Sequence, residues 1–266
     1  MTVPPTVHSP RLLKAAGVRH AFFTRRGGVS KGIYASLNVG RGSDDRPRAV
    51  EDNRRLVLEW FRPDVGALAH VYQTHSATAH VVSEFMGNPT AAQMEGDALV
   101  TALPQMAVSV LTADCAPVLI ADPLAGVVAA VHAGWRGALD GVVEAAITQM
   151  RGLGASPERM IAAVGPCIGP ASYEVGLEFV DRFETAAGAN GRFFAPGRDS
   201  QKRLFDLPGY VLSRLTEAGV TDAEWVGRDT CAEEEEFFSN RRAVLRGEPD
   251  YGRLMSVIMM TKQHTA

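Results

Sequence analysis

Cysteine is scarce in this 266-residue chain: there are three, at Cys115, Cys167 and Cys231, far apart. An odd, sparse set builds no disulfide framework, so a reducing cytoplasm is the expected compartment. Long apolar runs are missing too. No stretch reaches the roughly 18 residues of a membrane helix, and MTVPPTVHSP has neither an apolar signal core nor a basic lead. Excess charge is absent: 27 Lys and Arg face 30 Asp and Glu, a formal −3. That balance leaves no basic footprint for nucleic acid or an anionic membrane. The chain also lacks internal repeats, and its one low-complexity tract is the acidic run Glu233 to Glu236. What remains is a soluble globular protein whose ligands must be read from local clusters.

Apolar residues make up 46% of the chain, enough for a large core, and no linker divides it. One domain over residues 1–266 is expected. Strand-like runs occur at 68–72, 79–82, 97–101, 107–112, 118–121 and 127–132, with turns at Gly87, Asn88 and Pro89, at Pro104, and at Asp122 and Pro123. Several strands before any helix imply α/β architecture with central mixed β-sheets and outer helices. A helix capped by Asp44 or Asp45 carries Pro47 in its first turn. A second follows AGWRG, with Leu139, Val142, Val143, Ala146, Ile147 and Met150 on one stripe. Further helices are expected over 173–183 and from Asp206 to Gly219, further strands at 160–164, 223–226 and 254–260, and a surface loop over 188–203.

Three segments put metal-competent side chains after apolar strands: QTHS at 73–76, TADC at 112–115 and HAGWRG at 132–137. His75, Cys115 and His132 can therefore converge at the rim of a sheet. Thiolate and imidazole together suit zinc, and three protein ligands leave a position open for water. The spacing matches no CxxC or HExxH pattern, and taken singly each residue reads more often as a packed histidine or an inert cysteine than as a ligand. The same residues would also serve a metal-free Cys–His hydrolase, with Cys115 as nucleophile and His132 as base. Asp114 beside Cys115 is a candidate orienting group or base.

The strings TRRGGVSKGIYASLNVG, QTHS, GDALVT, LTADCAPVLIAD, AAVHAGWRGAL, GPCIGPASYEVG and FFSNRRAVLRGEPDYGRLMSVI, in that order, resemble the YfiH/PgeF family. That family is variously labelled laccase-domain protein, multicopper polyphenol oxidase, peptidoglycan editing factor and purine nucleoside phosphorylase. The resemblance implies one zinc on His75, Cys115 and His132, with copper as the alternative metal. It also implies phosphorolysis of adenosine, inosine and 5′-methylthioadenosine, and deamination of adenosine. The partners would be a purine nucleoside and phosphate. Asn240 and Ala232 depart from residues often found in the C-terminal motif. Seven histidines are too few for a multicopper centre. An amidase acting on a peptidoglycan precursor, and a structural-zinc protein that binds a partner, use the same residues.

Phosphate calls for arginine forks and backbone N–H groups. Arg136, in the Gly-rich turn after His132, is the first candidate. Arg25 precedes Gly27 and Gly28, and Arg241, Arg242 and Arg253 are further cations. Asn38, inside SLNVG, would meet ribose or base, or bond its own loop. For deamination, Asp114 or Glu174 is the candidate carboxylate.

Overall fold

The computed structural model describes residues 3–83 and 94–262, so the turn read at Gly87, Asn88 and Pro89 lies outside the described residues. In chain order the elements are β1 (Thr6–Val7), α1 (Pro10–Leu13), β2 (Val18–Phe23), α2 (Pro47–Trp60), β3 (Ala67–Ala69), β4 (Ala79–Val82) and β5 (Ala98–Thr101). Next come β6 (Met106–Thr112), β7 (Ala116–Asp122), β8 (Val127–Ala133), α3 (Trp135–Asp140), α4 (Val142–Gly152), β9 (Ile161–Val164) and β10 (Glu174–Gly176). The chain closes with α5 (Leu177–Ala186), β11 (Phe194–Pro196), β12 (Lys202–Phe205), α6 (Leu207–Glu217), β13 (Asp222–Trp225), α7 (Asn240–Arg246) and β14 (Leu254–Met260).

Two sheets dominate. One runs β1-β2-β14-β6-β3 and the other β13-β9-β7-β8-β5-β4, mostly antiparallel with parallel pairs β3/β6, β4/β5 and β9/β13. Their central strands are apolar on both faces, because each sheet is covered twice. Leu99, Leu119, Val128 and Ala130 of the six-stranded sheet meet Phe22, Val108, Val110 and Ile258 of the other. The opposite face of the six-stranded sheet, with Val100, Val118, Ile120 and Val131, packs on Val143, Ile147 and Met150 of α4 and on Val211 and Leu215 of α6. Phe23, Val257 and Met259 pack on Val57 of α2 and on Phe61. The order is helix, sheet, sheet, helix, with period-two side chains sorting themselves between layers. Among the described residues no helix is long and apolar enough to cross a membrane.

Four local expectations are corrected. The helix after AGWRG is two helices, because Gly141 adopts φ +99° between α3 and α4, a conformation natural only to glycine. Residues 174–176 leave the expected helix to pair with β12, so α5 begins at Leu177. The expected loop at 188–203 holds β11 and part of β12, because Phe194 and Phe205 face one another across them at 4.9 Å and cover Phe183. Neither aspartate caps α2. Its N-cap is Arg46, while Asp45 turns inward to accept hydrogen bonds from Ser30 and Asn38. Asp206 does cap α6, through the Gly209 amide.

His20 on β2 gives the fold an acid sensitivity. Its Nε2 accepts from the Ser9 amide at 2.9 Å, its Nδ1 is buried without a partner, and His8 lies with its ring centroid 5.3 Å away. Burial first, and His8 second, lower its pKa from 6.5 to about 4. A folded-state pKa below the unfolded value means the unfolded chain binds the proton first. The contribution is therefore present above pH 6.5 and is lost as pH falls toward 4. Between pH 7 and 5 the loss should reach about 2 kcal/mol. Urea midpoints across this range should fall in the wild type and fall less steeply in His20→Gln, where His70, likewise lowered to about 4 by burial, still contributes. An unchanged slope in the variant would assign the loss to other groups.

Candidate metal centre

Strand register assembles the centre. β7 and β8 pair with Ala116 opposite Ala133, and Pro117 opposite His132. Cys115, one residue before β7, is thus beside the end of β8. β5 pairs with β8 so that Ala98 faces Val131, which brings Asp97, one residue earlier, alongside His132. The His132 amide donates to the Asp97 carbonyl at 2.7 Å. His75 arrives from the connection between β3 and β4, in a left-handed conformation at φ +58°, uncommon for a residue with a side chain.

The ligand atoms of His75, Cys115 and His132 lie within 4.8 Å of one another, the one such cluster among the described residues. Cys115 Sγ is 3.8 Å from His75 Nε2, and the two imidazole rings meet edge to face at 4.8 Å. His132 is buried, Cys115 half-buried and His75 exposed, so the cluster opens on one side. Tetrahedral zinc, with Zn–S about 2.3 Å and Zn–N about 2.0–2.1 Å, sets ligand atoms roughly 3.3–3.6 Å apart. The donor set therefore fits such an ion after small side-chain shifts.

Asp97 organises all of this. Its carboxylate is fully buried. One oxygen accepts from His132 Nδ1 at 2.7 Å and from the His75 amide at 3.1 Å. The other accepts from the Ser76 amide at 2.6 Å, the Ser76 hydroxyl at 2.8 Å and the Thr74 amide at 3.2 Å. Burial opposes its ionisation, but the bonds from His132 and Ser76 outweigh it and hold the carboxyl at about 2. With Nδ1 so engaged, Nε2 is the His132 nitrogen left for a ligand. Burial likewise opposes the Cys115 thiolate, and the imidazoles of His132 and His75 overcome it, drawing the thiol below its ordinary range. Asp97 stood in the sequence only as the start of a strand. Its signal was a carboxylate in GDALVT where the strand pattern asks for an apolar or small residue.

Gly134 explains one glycine of HAGWRG. A Cβ there would sit 2.9 Å from His75 Cδ2 and 3.0 Å from Cys115 Sγ. Its φ of −67° is open to alanine, so Gly134→Ala should leave the fold intact and push the ligands apart. Metal affinity is expected to drop about 10–100-fold with a change of at most a few degrees in Tm. Metal content after dialysis and a thermal melt check this, and wild-type affinity in the variant would refute the packing argument.

The other site candidates are placed elsewhere or otherwise occupied. Arg136 is exposed, its guanidinium 5.4 Å over the Trp135 ring. Trp135 itself packs on Phe179 at 5.0 Å. Arg25 donates to the carbonyls of Ala35, Ile33 and Glu234 and lies over Phe238. Arg242 donates to the carbonyls of Thr230, Cys231 and Phe237. Asn38 is fully buried, donating to Ser43 and Asp45 and accepting from the Gly40 and Arg253 amides. These residues pin loops, because buried carbonyls need donors wherever no strand supplies them. Asp114 accepts from Thr230, Ser239 and the Arg241 amide; burial nevertheless pushes its carboxyl up. Glu174 pairs with Arg198. The acidic run is met by Arg26, Arg228 and Arg246.

Two cavities meet at the cluster. One of about 390 Å³ is lined by His75, Cys115 and His132 together with Arg41, His70, Tyr72 and Arg253. The other, of about 180 Å³, is lined by His75, Cys115, Trp135, Tyr173, Asn240 and Arg241. A larger hollow of about 670 Å³, between Trp60 and Gly28, is lined by none of the three ligands.

The molecule is thus an α/β protein with one open His–Cys–His centre on paired cavities. A family model described as multi-copper polyphenol oxidoreductase laccase matches residues 19–261, and the chain belongs to that family. A Deinococcus radiodurans relative named purine nucleoside phosphorylase is 39% identical over 265 residues, covering 99% of this chain and 96% of that one. A Haemophilus influenzae relative of the same name is 37% identical, covering 90% and 93%. Among solved structures, a Neisseria meningitidis protein of the DUF152 family superposes with TM-score 0.83 at 33% identity, covering 98% of this chain and all of that one. YlmD from Geobacillus stearothermophilus does so with TM-score 0.83 at 29% identity, covering 96% and 94%. These relatives support an enzyme. A single three-donor cluster among the described residues provides far fewer ligands than a multicopper oxidase needs.

Proposed function

We propose that this chain is a zinc-dependent purine nucleoside phosphorylase acting on adenosine, inosine and 5′-methylthioadenosine, with adenosine deamination as a second activity. The observation that carries the reading is the open triad on the wall of a cavity of about 390 Å³. That volume lies in the range of small-molecule sites. His75, Cys115 and His132 would hold the ion, which supplies Lewis acidity for a purine nitrogen and, for deamination, an activated water. Tyr72, 59% exposed at the cavity lining, presents an aromatic face to a base. In phosphorolysis a phosphate oxygen bonds to C1′ as the C1′–N9 bond breaks. The electron pair leaves with the base, which takes up the proton released by hydrogen phosphate, yielding free base and ribose 1-phosphate.

Inosine incubated with the metal-loaded protein should release hypoxanthine and ribose 1-phosphate only when phosphate is present. Base release without phosphate dependence would sink the phosphorylase reading.

A second reading is favoured by the hydrogen bond between His132 and Asp97 and by Cys115 lying within 4.8 Å of a His132 ring nitrogen, which also suits a thiol nucleophile with an oriented base. Full activity after chelation, abolished by stoichiometric alkylation of Cys115 with iodoacetamide, would support it.

A further inference from the structure

Phosphorolysis joins two substrates, and the structure has two compartments. Both are lined by His75, Ala113, Cys115 and Asn240, so they share one wall. Their sizes differ: about 390 Å³ is adequate for a nucleoside, while about 180 Å³ falls below the usual range for drug-sized ligands. Arg241 is the one arginine lining the smaller compartment. One terminal nitrogen donates to the Glu174 carbonyl at 2.8 Å, and its Cζ lies 5.2 Å over the Tyr173 ring. Among the described residues its Nε and second terminal nitrogen have no protein acceptor. The guanidinium is therefore held in place on one side with two parallel donors unspent, the fork that matches a tetrahedral oxyanion. The Tyr173 hydroxyl also makes no hydrogen bond to the protein among the described residues, and Asn240 adds an amide on the shared wall.

We propose that Arg241, with Tyr173 and Asn240, forms the subsite for inorganic phosphate, and that the nucleoside occupies the larger compartment. This rests on the phosphorylase reading for its place in the reaction, but not for the binding itself. The carboxylate of Asp114 also lines this compartment. Its charge opposes an anion, and the hydrogen bonds it accepts from Thr230, Ser239 and the Arg241 amide offset part of that cost. Arg242, next in sequence, spends its guanidinium on three carbonyls, and Arg136 lies exposed on Trp135. Neither offers the same fork to the centre.

The test separates binding from catalysis. Inorganic phosphate is titrated into metal-loaded wild type, Arg241→Gln, Arg241→Lys and Arg136→Gln, read by calorimetry and by thermal shift. The wild type and Arg136→Gln should bind alike. Arg241→Gln should weaken phosphate at least 10-fold with inosine affinity and metal content within twofold of wild type, and Arg241→Lys should lie between. In turnover the KM for phosphate should rise with little change in the KM for inosine. No phosphate binding by the wild type, or equal binding by folded Arg241→Gln, would overturn the subsite. Phosphate binding lost in Arg241→Gln, in a protein that never cleaves inosine, would uphold the subsite and refute the phosphorylase reading.

Discussion

Cys115→Ala is expected to lose its metal and to lower nucleoside turnover on the order of a thousandfold, with little change in the urea midpoint when both proteins are compared metal-free. Cys115 stands before β7, half-exposed, and contributes its thiolate to the cluster and little to the core. Removing it leaves two imidazoles, too few donors to hold a catalytic zinc against dialysis. Cys115→Asp separates the two uses of the thiol. A carboxylate remains a metal ligand, so metal content and a measurable part of the activity should survive if the thiolate serves only to coordinate. Nothing should survive if sulfur is the nucleophile, because the carboxylate cannot replace it in that role. Metal analysis beside turnover decides the matter, and full activity in metal-free Cys115→Ala would remove the metal from the mechanism altogether.

Asp97→Ala should be the most disruptive single substitution at the centre. It strips an acceptor from His132 Nδ1, three backbone amides and the Ser76 hydroxyl, at a carboxylate that is itself fully buried. Unpaired buried donors of this kind cost about 3–5 kcal/mol in all. The His132 ring would lose its fixed tautomer and the QTHS turn its anchor, so metal affinity should fall 10–100-fold or more. Asp97→Asn keeps one good acceptor and should recover part of both losses. Urea unfolding with and without zinc measures the two effects separately. Wild-type metal affinity in Asp97→Ala would mean that the histidines are positioned by packing alone.

Much of the architecture was legible in advance because period-two apolar runs have few ways to be buried. The strands at 79–82 and 254–260 fall on the expected residues, and β5 to β8 differ only at their ends. The misjudged segments were those where distant partners decide. Residues 174–176 are a strand only because β12 lies beside them, and 194–196 because Phe205 faces Phe194. β2 and α7 carry no sequence signal of their own, their short patterns being completed by β14 and by the loop around Asp114.

At the centre the division is sharper. By itself the sequence nominates His75, Cys115 and His132, since thiol and imidazole after apolar strands suit a metal, and it leaves a metal-free Cys–His pair open; the motifs around them tip the choice by resemblance. Among the arginines the sequence favours Arg136, on the strength of a Gly-rich turn alone. Arg25, Arg136, Arg241 and Arg242 are alike as letters, and each sits near glycine, acid or aromatic neighbours. Only tertiary structure decides which guanidinium is spent on carbonyls, which lies on the surface, and which keeps donors free beside a cavity that the ligands line, because hydrogen-bond saturation depends on atoms far away in the chain. The same holds for Asp97. It is one aspartate among many until antiparallel register places it against His132, and burial then makes its charge the point on which both histidines are fixed.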